Sequence, residues 1–361
     1  MRGETAVRRR GRRELSNGGG LTCALIGTGM VAKTHLAALR AAAPRVTLRG
    51  VAASREDSAR RFAEAAGGDP LHIYPDARDV AADSQVDVAV ITTPPNVRLE
   101  LIEPLARAGK HILLEKPVGR TAEEAEKVVR ICEAAGVSLG IFFQHRMRAA
   151  SRKAAEMVAS GRLGALGVVE IAVPWWREQD YYDEPGRGSY ARDGGGVLIS
   201  QAIHTIDLAL SLAGPVASVQ AMTATTRFHD MEAEDFATAG LRFADGAAGS
   251  LVAGTASFPG GAETIVLHFE AASLHLGSGV LSVRWRDGRE ETHGAEAGTG
   301  GGADPMAFTH DWHQAIVEDF VDALEEGRAP VASGRAALPA HRLIDAIALS
   351  AAHGRCVEVP Q

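Results

Sequence analysis

Cysteine is nearly missing from this 361-residue chain: there are only Cys23, Cys132 and Cys356, odd in number and far apart. They support neither a disulfide framework nor a cysteine-based metal knuckle, and they fit a reducing cytoplasm. Long apolar runs are missing too, since none approaches the roughly 20 residues needed to span a bilayer. Neither sign of charge dominates, the formal net charge being -7, so there is no basic surplus to bind nucleic acid or an anionic membrane. Aromatic residues are few, 5% of the chain. What remains is an aliphatic, cytoplasmic α/β protein long enough for two cores. Its one basic block, Arg8, Arg9, Arg10, Arg12 and Arg13, lacks an apolar region before a cleavage site, and residues 1–20 are expected to be a disordered tail.

The most informative stretch is TCALIGTGMVA, residues 22–32. Gly27 permits a tight turn, Gly29 lets a pyrophosphate approach the backbone, and Ala32 is small enough for a helix to pack on the strand. Thr28, Met30 and Val31 lead into that helix, whose first N–H groups and partial positive charge suit phosphates. Paired glycines also make ordinary turns, so the sequel decides. Apolar strand runs at 22–26, 46–52, 72–74, 86–92, 111–114 and 138–142 alternate with helical runs, the sign of a parallel sheet with crossover helices.

After about Arg148 the texture changes. A helix at 151–160, a strand at 166–173 and a helix at 198–212 precede strand runs at 217–225, 235–243, 249–257, 264–270, 273–276 and 280–285. That reads as an open, mostly antiparallel sheet. A Gly-rich segment, 294–304, is expected to be a surface loop or insertion, and helices at 311–326 and 338–352 close the chain. The expected fold is therefore a Rossmann-like dinucleotide-binding domain over 21–147, followed by an α+β domain over 148–361. The second domain is expected to bind substrate and to oligomerise, with its last helices able to pack back on the first.

Several residues carry chemistry. In such sheets ligands bind beyond the carboxyl ends of strands, which places Thr92, Thr93, Pro94 and Asn96 at the cofactor crevice. Asn96 can equally cap the following helix. Glu115 and Lys116 emerge at the same edge, before Pro117 stops strand pairing. A lysine there can hold a substrate oxygen and favour developing negative charge, or it can be a solvated surface residue. His204 lies on a helical run after three glycines, and Ser200, His204 and Asp207 share one face. An imidazole titrates near neutral pH and can take a hydroxyl proton. Asp207 can orient it or serve the helix.

Four segments in order, GTGMVAKTH at 27–35, TTPPN at 92–96, EKP at 115–117 and GGGVLISQAIHTID at 194–207, resemble the glucose-fructose oxidoreductase, inositol dehydrogenase and rhizopine-catabolism (Gfo/Idh/MocA) family. The resemblance covers nearly all of 22–359. It implies an NAD(P)-dependent oxidoreductase acting on a secondary alcohol of a sugar, cyclitol or nucleotide sugar, with Lys116 and His204 catalytic and His145 among substrate contacts. Many relatives carry Asp or Asn one helical turn before the histidine; here Ser200 stands there and cannot supply a carboxylate. Two rival readings follow from the same resemblance: a sensor that binds dinucleotide and sugar without chemistry, and an NAD-dependent offshoot that cleaves glycosides.

Residues 174–196 concentrate aromatics and arginines. Trp176, Arg177, Tyr182 and Arg187 are expected to contact substrate, although aromatics after a strand often fill a core or an interface. The second strand ends in Ala53, Ser54 and Arg55 with no acid for the ribose 2′-OH, which favours NADP over NAD; Ser54 can instead cap a helix. No metal is expected. Apolar residues Val252, Ile265, Leu267 and Phe269 suggest a sheet face that self-associates as a dimer or tetramer, unless helices of the same chain cover them.

Overall fold

The computed structural model describes residues 20–296, 298 and 309–361. The expected tail, apart from Gly20, lies outside the described residues, as does most of the Gly-rich segment. The first half alternates strand and helix: β1 Leu21–Ile26, α1 Ala32–Ala41, β2 Val46–Ala52, α2 Glu56–Ala66, β3 His72–Tyr74, α3 Ala77–Ala82, β4 Val88–Ile91, α4 Arg98–Arg107, β5 His111–Leu114, α5 Ala122–Ala135 and β6 Leu139–Ile141. The strands pair in parallel in the order β3-β2-β1-β4-β5-β6. Continuous apolar runs such as Val88 to Ile91 are buried throughout, as a sheet covered on both faces requires. The order reverses between β1 and β4, which opens a crevice at their carboxyl ends.

The second half runs α6 Ala149–Ala159, β7 Leu166–Pro174, a short α7 Gln179–Tyr182, a π-helical turn Leu198–Ala202, α8 Ile203–Ala213, β8 Val216–Ala224, β9 Phe236–Phe243, β10 Ala248–Gly254, β11 Thr264–Phe269, β12 Ala272–Gly277, β13 Val280–Trp285, β14 Glu290–Gly294, α9 Asp311–Glu326, α10 Gly334–His353 and β15 Val357–Glu358. Among the described residues nine strands form one sheet in the order β14-β13-β12-β11-β7-β10-β9-β8-β15, antiparallel except where β7 and β10 run parallel. Alternation along β11 sends Ile265, Leu267 and Phe269 inward, where α8 covers the sheet. Those three residues are therefore core, and of the four expected on an open face only Val252 is exposed.

Several elements differ from the sequence reading. The polar β14 and the two-residue β15 carry no strand signal of their own and form by edge pairing with β13 and β8. Helix α10 starts four residues ahead of the expected Leu338, because Ser333 caps it by accepting the N–H of Ala336 and the helix passes through Pro339. The long helix expected from 198 begins instead as a π turn. The terminal helices join the two halves: α9 lies on α1, and α10 on α5 and β8. At this seam His341 of α10 accepts the N–H of Val118 at 3.1 Å.

Candidate active site

Two turns build the floor of the crevice. Gly27 has φ of 108°, and a Cβ there would come within 2.7 Å of Thr92 Oγ1, so only glycine lets the β1 and β4 turns meet. Thr92 fastens them by donating its hydroxyl to the carbonyl of Gly27 at 3.0 Å. Gly29 faces open space, and α1 opens with no acid in its first turn. Thr28 and Val31 are half-buried and Met30 is exposed. Thr93 Oγ1 is buried with no hydrogen-bond partner among the described residues. A bare glycine cradle, a free helix end and an orphaned hydroxyl fit a dinucleotide pyrophosphate and ribose. Pro94 and Asn96 lie exposed on the same turn; Asn96 does not cap α4, whose cap is Val97 without a side-chain bond. Ser54 does not cap α2 either, since Arg55 holds that position. Ser54 and Arg55 are both exposed at the end of β2, and Glu56 is turned aside by its pair with Arg60.

Arg98, at the start of α4, ties the two turns into one unit and was not read from sequence. Its guanidinium donates to the carbonyls of Thr93 at 2.6 Å, Glu115 at 2.5 Å and Pro117. Burial, partly offset by the Glu115 charge, lowers its pKa to about 10. Glu115, expected at the cofactor edge, turns inward instead: its carboxylate meets His35 Nε2 at 2.8 Å and lies 3.8 Å from His313 Nε2. Burial is the largest single influence and opposes its charge, but the His35 bond and the His35, His313 and Lys116 charges together outweigh it and hold the pKa at about 2. The ligand atoms of His35, Glu115 and His313 lie within 4.8 Å of one another. Two ligands on one tetrahedral metal are about 3.3 Å apart, so the 2.8 Å contact is a hydrogen bond rather than a preformed chelate.

Lys116, next in the chain, projects the other way across the crevice. It is half-buried, and its Nζ donates to the carbonyl of Ser200 at 2.6 Å, inside the π turn. Burial lowers its pKa. The π turn is set by Gly196, where a Cβ would collide with the backbone of Glu234. Glu234 in turn accepts the N–H groups of Gly196 and Leu198 at 3.1 Å each. Ser200 thus meets Lys116 through its backbone carbonyl rather than its hydroxyl.

One turn on, His204 is buried, and burial followed by the Lys116 charge pushes its pKa well below the usual imidazole value. Its ring stacks on His145, centroids 4.8 Å apart, so the structure brings Lys116, His145 and His204 together. Asp207 does not support His204. Both its oxygens are taken by Arg146, at 2.7 and 2.6 Å, and the pair is structural.

The aromatic segment is mostly framework. Tyr182 is buried with its hydroxyl 2.6 Å from Thr255 Oγ1, and Arg187 lies over the Tyr181 ring while bonding the Tyr181 carbonyl and Glu184. Their partners, distant or across a loop, claim the groups expected for substrate. Trp176 bonds Glu178 and packs with Phe228 and Phe258 at the surface. Arg177 is buried, lies over Trp175 and Tyr181, and bonds the Trp176 carbonyl. Nearby Gln201 donates to the Tyr181 hydroxyl at 3.3 Å and keeps a buried oxygen without a partner among the described residues. Sequence reading passed over Gln201 although it adjoins Ser200.

A Rossmann crevice whose strand end presents Lys116 to the π turn before His204 fits a dinucleotide-binding oxidoreductase. The chain belongs to the GFO/IDH/MocA family: residues 21–143 match its model described as an oxidoreductase family with NAD-binding Rossmann fold, and residues 151–275 match its C-terminal domain. It is 28% identical to D-apiose dehydrogenase of Paraburkholderia graminis, over 93% of this chain and 89% of that one. Several other curated relatives are matched over about half their length; an uncharacterised oxidoreductase of Schizosaccharomyces pombe, 31% identical, is matched over 45% of this chain and 44% of its own. Among solved structures, the WlbA dehydrogenase of Chromobacterium violaceum in complex with NADH and UDP-GlcNAcA superposes with a TM-score of 0.80, at 27% identity, covering 94% of this chain and 96% of that one. Levoglucosan dehydrogenase in complex with NADH and levoglucosan gives 0.81 at 25% identity, covering 95% and 100%. Among the described residues no helix is long and apolar enough to cross a membrane.

Arg98→Met keeps the bulk but strands the carbonyls of Thr93, Glu115 and Pro117. We expect it to lower unfolding free energy by about 3 to 5 kcal/mol and to weaken dinucleotide binding at least tenfold. Urea unfolding and calorimetric titration with NAD(H) check this; unchanged cofactor affinity in a folded variant would contradict the clamp.

Proposed function

We propose that this chain is an NAD(P)-dependent dehydrogenase that moves a hydride between the nicotinamide and a secondary alcohol of a sugar, cyclitol or nucleotide sugar. The observation that carries the reading is the 2.6 Å bond from Lys116 Nζ to the Ser200 carbonyl, which sets a cation from the first sheet beside the helix of His204. The crevice residues Gly27, Gly29, Thr92 and Thr93 hold the dinucleotide, and the bound nicotinamide supplies the hydride acceptor. Lys116 offers its remaining N–H groups to the reacting oxygen and favours the negative charge that develops there. His204, kept neutral by burial, accepts the hydroxyl proton. Gln201 and Arg177 line the same side and suit hydroxyl recognition. Relatives that act on apiose and levoglucosan, or bind a nucleotide sugar, support the substrate class.

Lys116→Met is expected to lower kcat by about 100- to 1,000-fold while leaving NAD(H) binding within a few-fold, and His204→Asn to lower it by about 100- to 10,000-fold. Because the folded-state pKa of His204 is depressed, its basic form persists below pH 6.5. The oxidative kcat/KM is therefore expected to stay flat through that pH and to fall only at lower pH. Full turnover of Lys116→Met with a polyol panel, or an acid limb above pH 6.5, would defeat the mechanism.

We further infer a preference for NADP. Ser54 and Arg55 stand exposed where an acid would clasp a ribose 2′-OH, and an arginine there suits a 2′-phosphate. Arg55→Ala should weaken NADP binding about tenfold and leave NAD unchanged; equal affinity of the wild type for both would overturn the preference.

The same reading includes a homodimer or homotetramer through the second sheet. Val252 and Met222 on the sheet and Phe228 and Phe258 in its loops are exposed, Phe258 at 75%, more apolar surface than a solvated face needs. Light scattering should report two or four chains, and Phe258→Asp with Val252→Asp should yield monomers; a monomeric wild type would contradict it.

A further inference from the structure

Behind His204 runs a buried polar chain that the hydride chemistry does not use. Glu263, in the loop before β11, accepts Arg148 Nη1 at 2.7 Å and the indole N–H of Trp175 at 3.3 Å. Arg148 lies over the Trp312 ring, 4.5 Å from its centroid, and donates Nη2 to His145 Nε2 at 2.5 Å. His145 then stacks on His204 at an interplanar angle of 25°. Glu263, Arg148, His145 and His204 are all buried.

Arginine carries only donors, so His145 Nε2 must be the acceptor in this contact. The ring is then a neutral imidazole with its proton on Nδ1. A second proton on Nε2 would break the Arg148 bond and set two cations against each other. We propose that Arg148, anchored by Glu263, is a positioning residue for proton transfer: it locks His145 as a neutral Nδ1–H ring stacked on His204, leaving His204 as the one imidazole of the pair able to take the substrate proton. The inference rests on His204 being the base.

The surroundings agree. Lys116, His313 and Arg148 disfavour a charge on His204 and Glu115 favours it, while Arg148, His204, Lys116 and His313 all disfavour one on His145. A cavity of about 20 Å³ lined by His145, Arg148, Thr205 and Glu263 adjoins the pair. Nδ1 of His145 and Oγ1 of Thr205 lack partners among the described residues, and the space suits about one water. In the transfer, the substrate O–H bond breaks and an N–H bond forms on His204, whose imidazolium then rests against an uncharged ring.

Isotope-edited NMR of the wild-type protein should find His145 protonated on Nδ1 alone from pH 5.5 to 8. Arg148→Met removes the lock and a cation, and should raise the acid limb of oxidative kcat/KM by about one pH unit, roughly a tenfold loss of activity on the acid side. Arg148→Lys keeps a charged donor and should restore the limb. A proton on Nε2 of His145, or an Arg148→Met enzyme slowed equally at all pH, would overturn the proposal. If Arg148→Met does not fold, the wild-type tautomer decides. Retained turnover in His204→Asn would instead defeat the base assignment, so the two failures are distinguishable.

Discussion

The structure depends on one buried guanidinium. Arg98 reaches from the first turn of α4 to the carbonyls of Thr93, Glu115 and Pro117, joining the turns after β4 and β5 that a parallel sheet would otherwise leave as separate loops. A cation surrounded by carbonyls satisfies several acceptors at once and needs no carboxylate. The clamp fixes the direction of the chain at residues 115 and 116. Glu115 goes inward to His35 and Lys116 outward to the crevice.

From that fork the two halves of the molecule meet. Glu115 faces His35 of α1 and His313 of α9, so the helix that follows the glycine turn and a helix near the end of the chain converge on one carboxylate. Lys116 spans to the π turn that precedes α8. An α turn closes its carbonyls with N–H groups four residues on, whereas a π turn interrupts that ladder, often at functional sites. Here the interruption is occupied by the lysine, and Gly196 pressed on Glu234 holds it open.

The fold and the placement of residues at the strand ends were legible because apolar runs in a parallel sheet stop where its crevice begins. The glycine turn, Thr92, Thr93 and Lys116 follow from where apolar runs stop. The rest depended on partners far away in sequence. Nothing local told Tyr182 that Thr255 would take its hydroxyl, Arg187 that Tyr181 and Glu184 would hold it, or Asp207 that Arg146 would occupy both oxygens. Helical spacing put Ser200 on the face of His204, but in the π turn it is the Ser200 carbonyl, not the hydroxyl, that meets Lys116. His35 lay within a quoted motif yet is an ordinary helical histidine until Glu115 is seen beside it. Arg98, His313 and Glu263 carry no local signal.

The central claim, hydride transfer at a carbon whose oxygen is held by Lys116 and deprotonated by His204, is tested most directly with a substrate deuterated at the reacting carbon. After one turnover the account predicts that the deuterium is found on the nicotinamide of the reduced dinucleotide. Binding of dinucleotide and sugar with the label left on the sugar, or release of a sugar with no reduced dinucleotide, would contradict it.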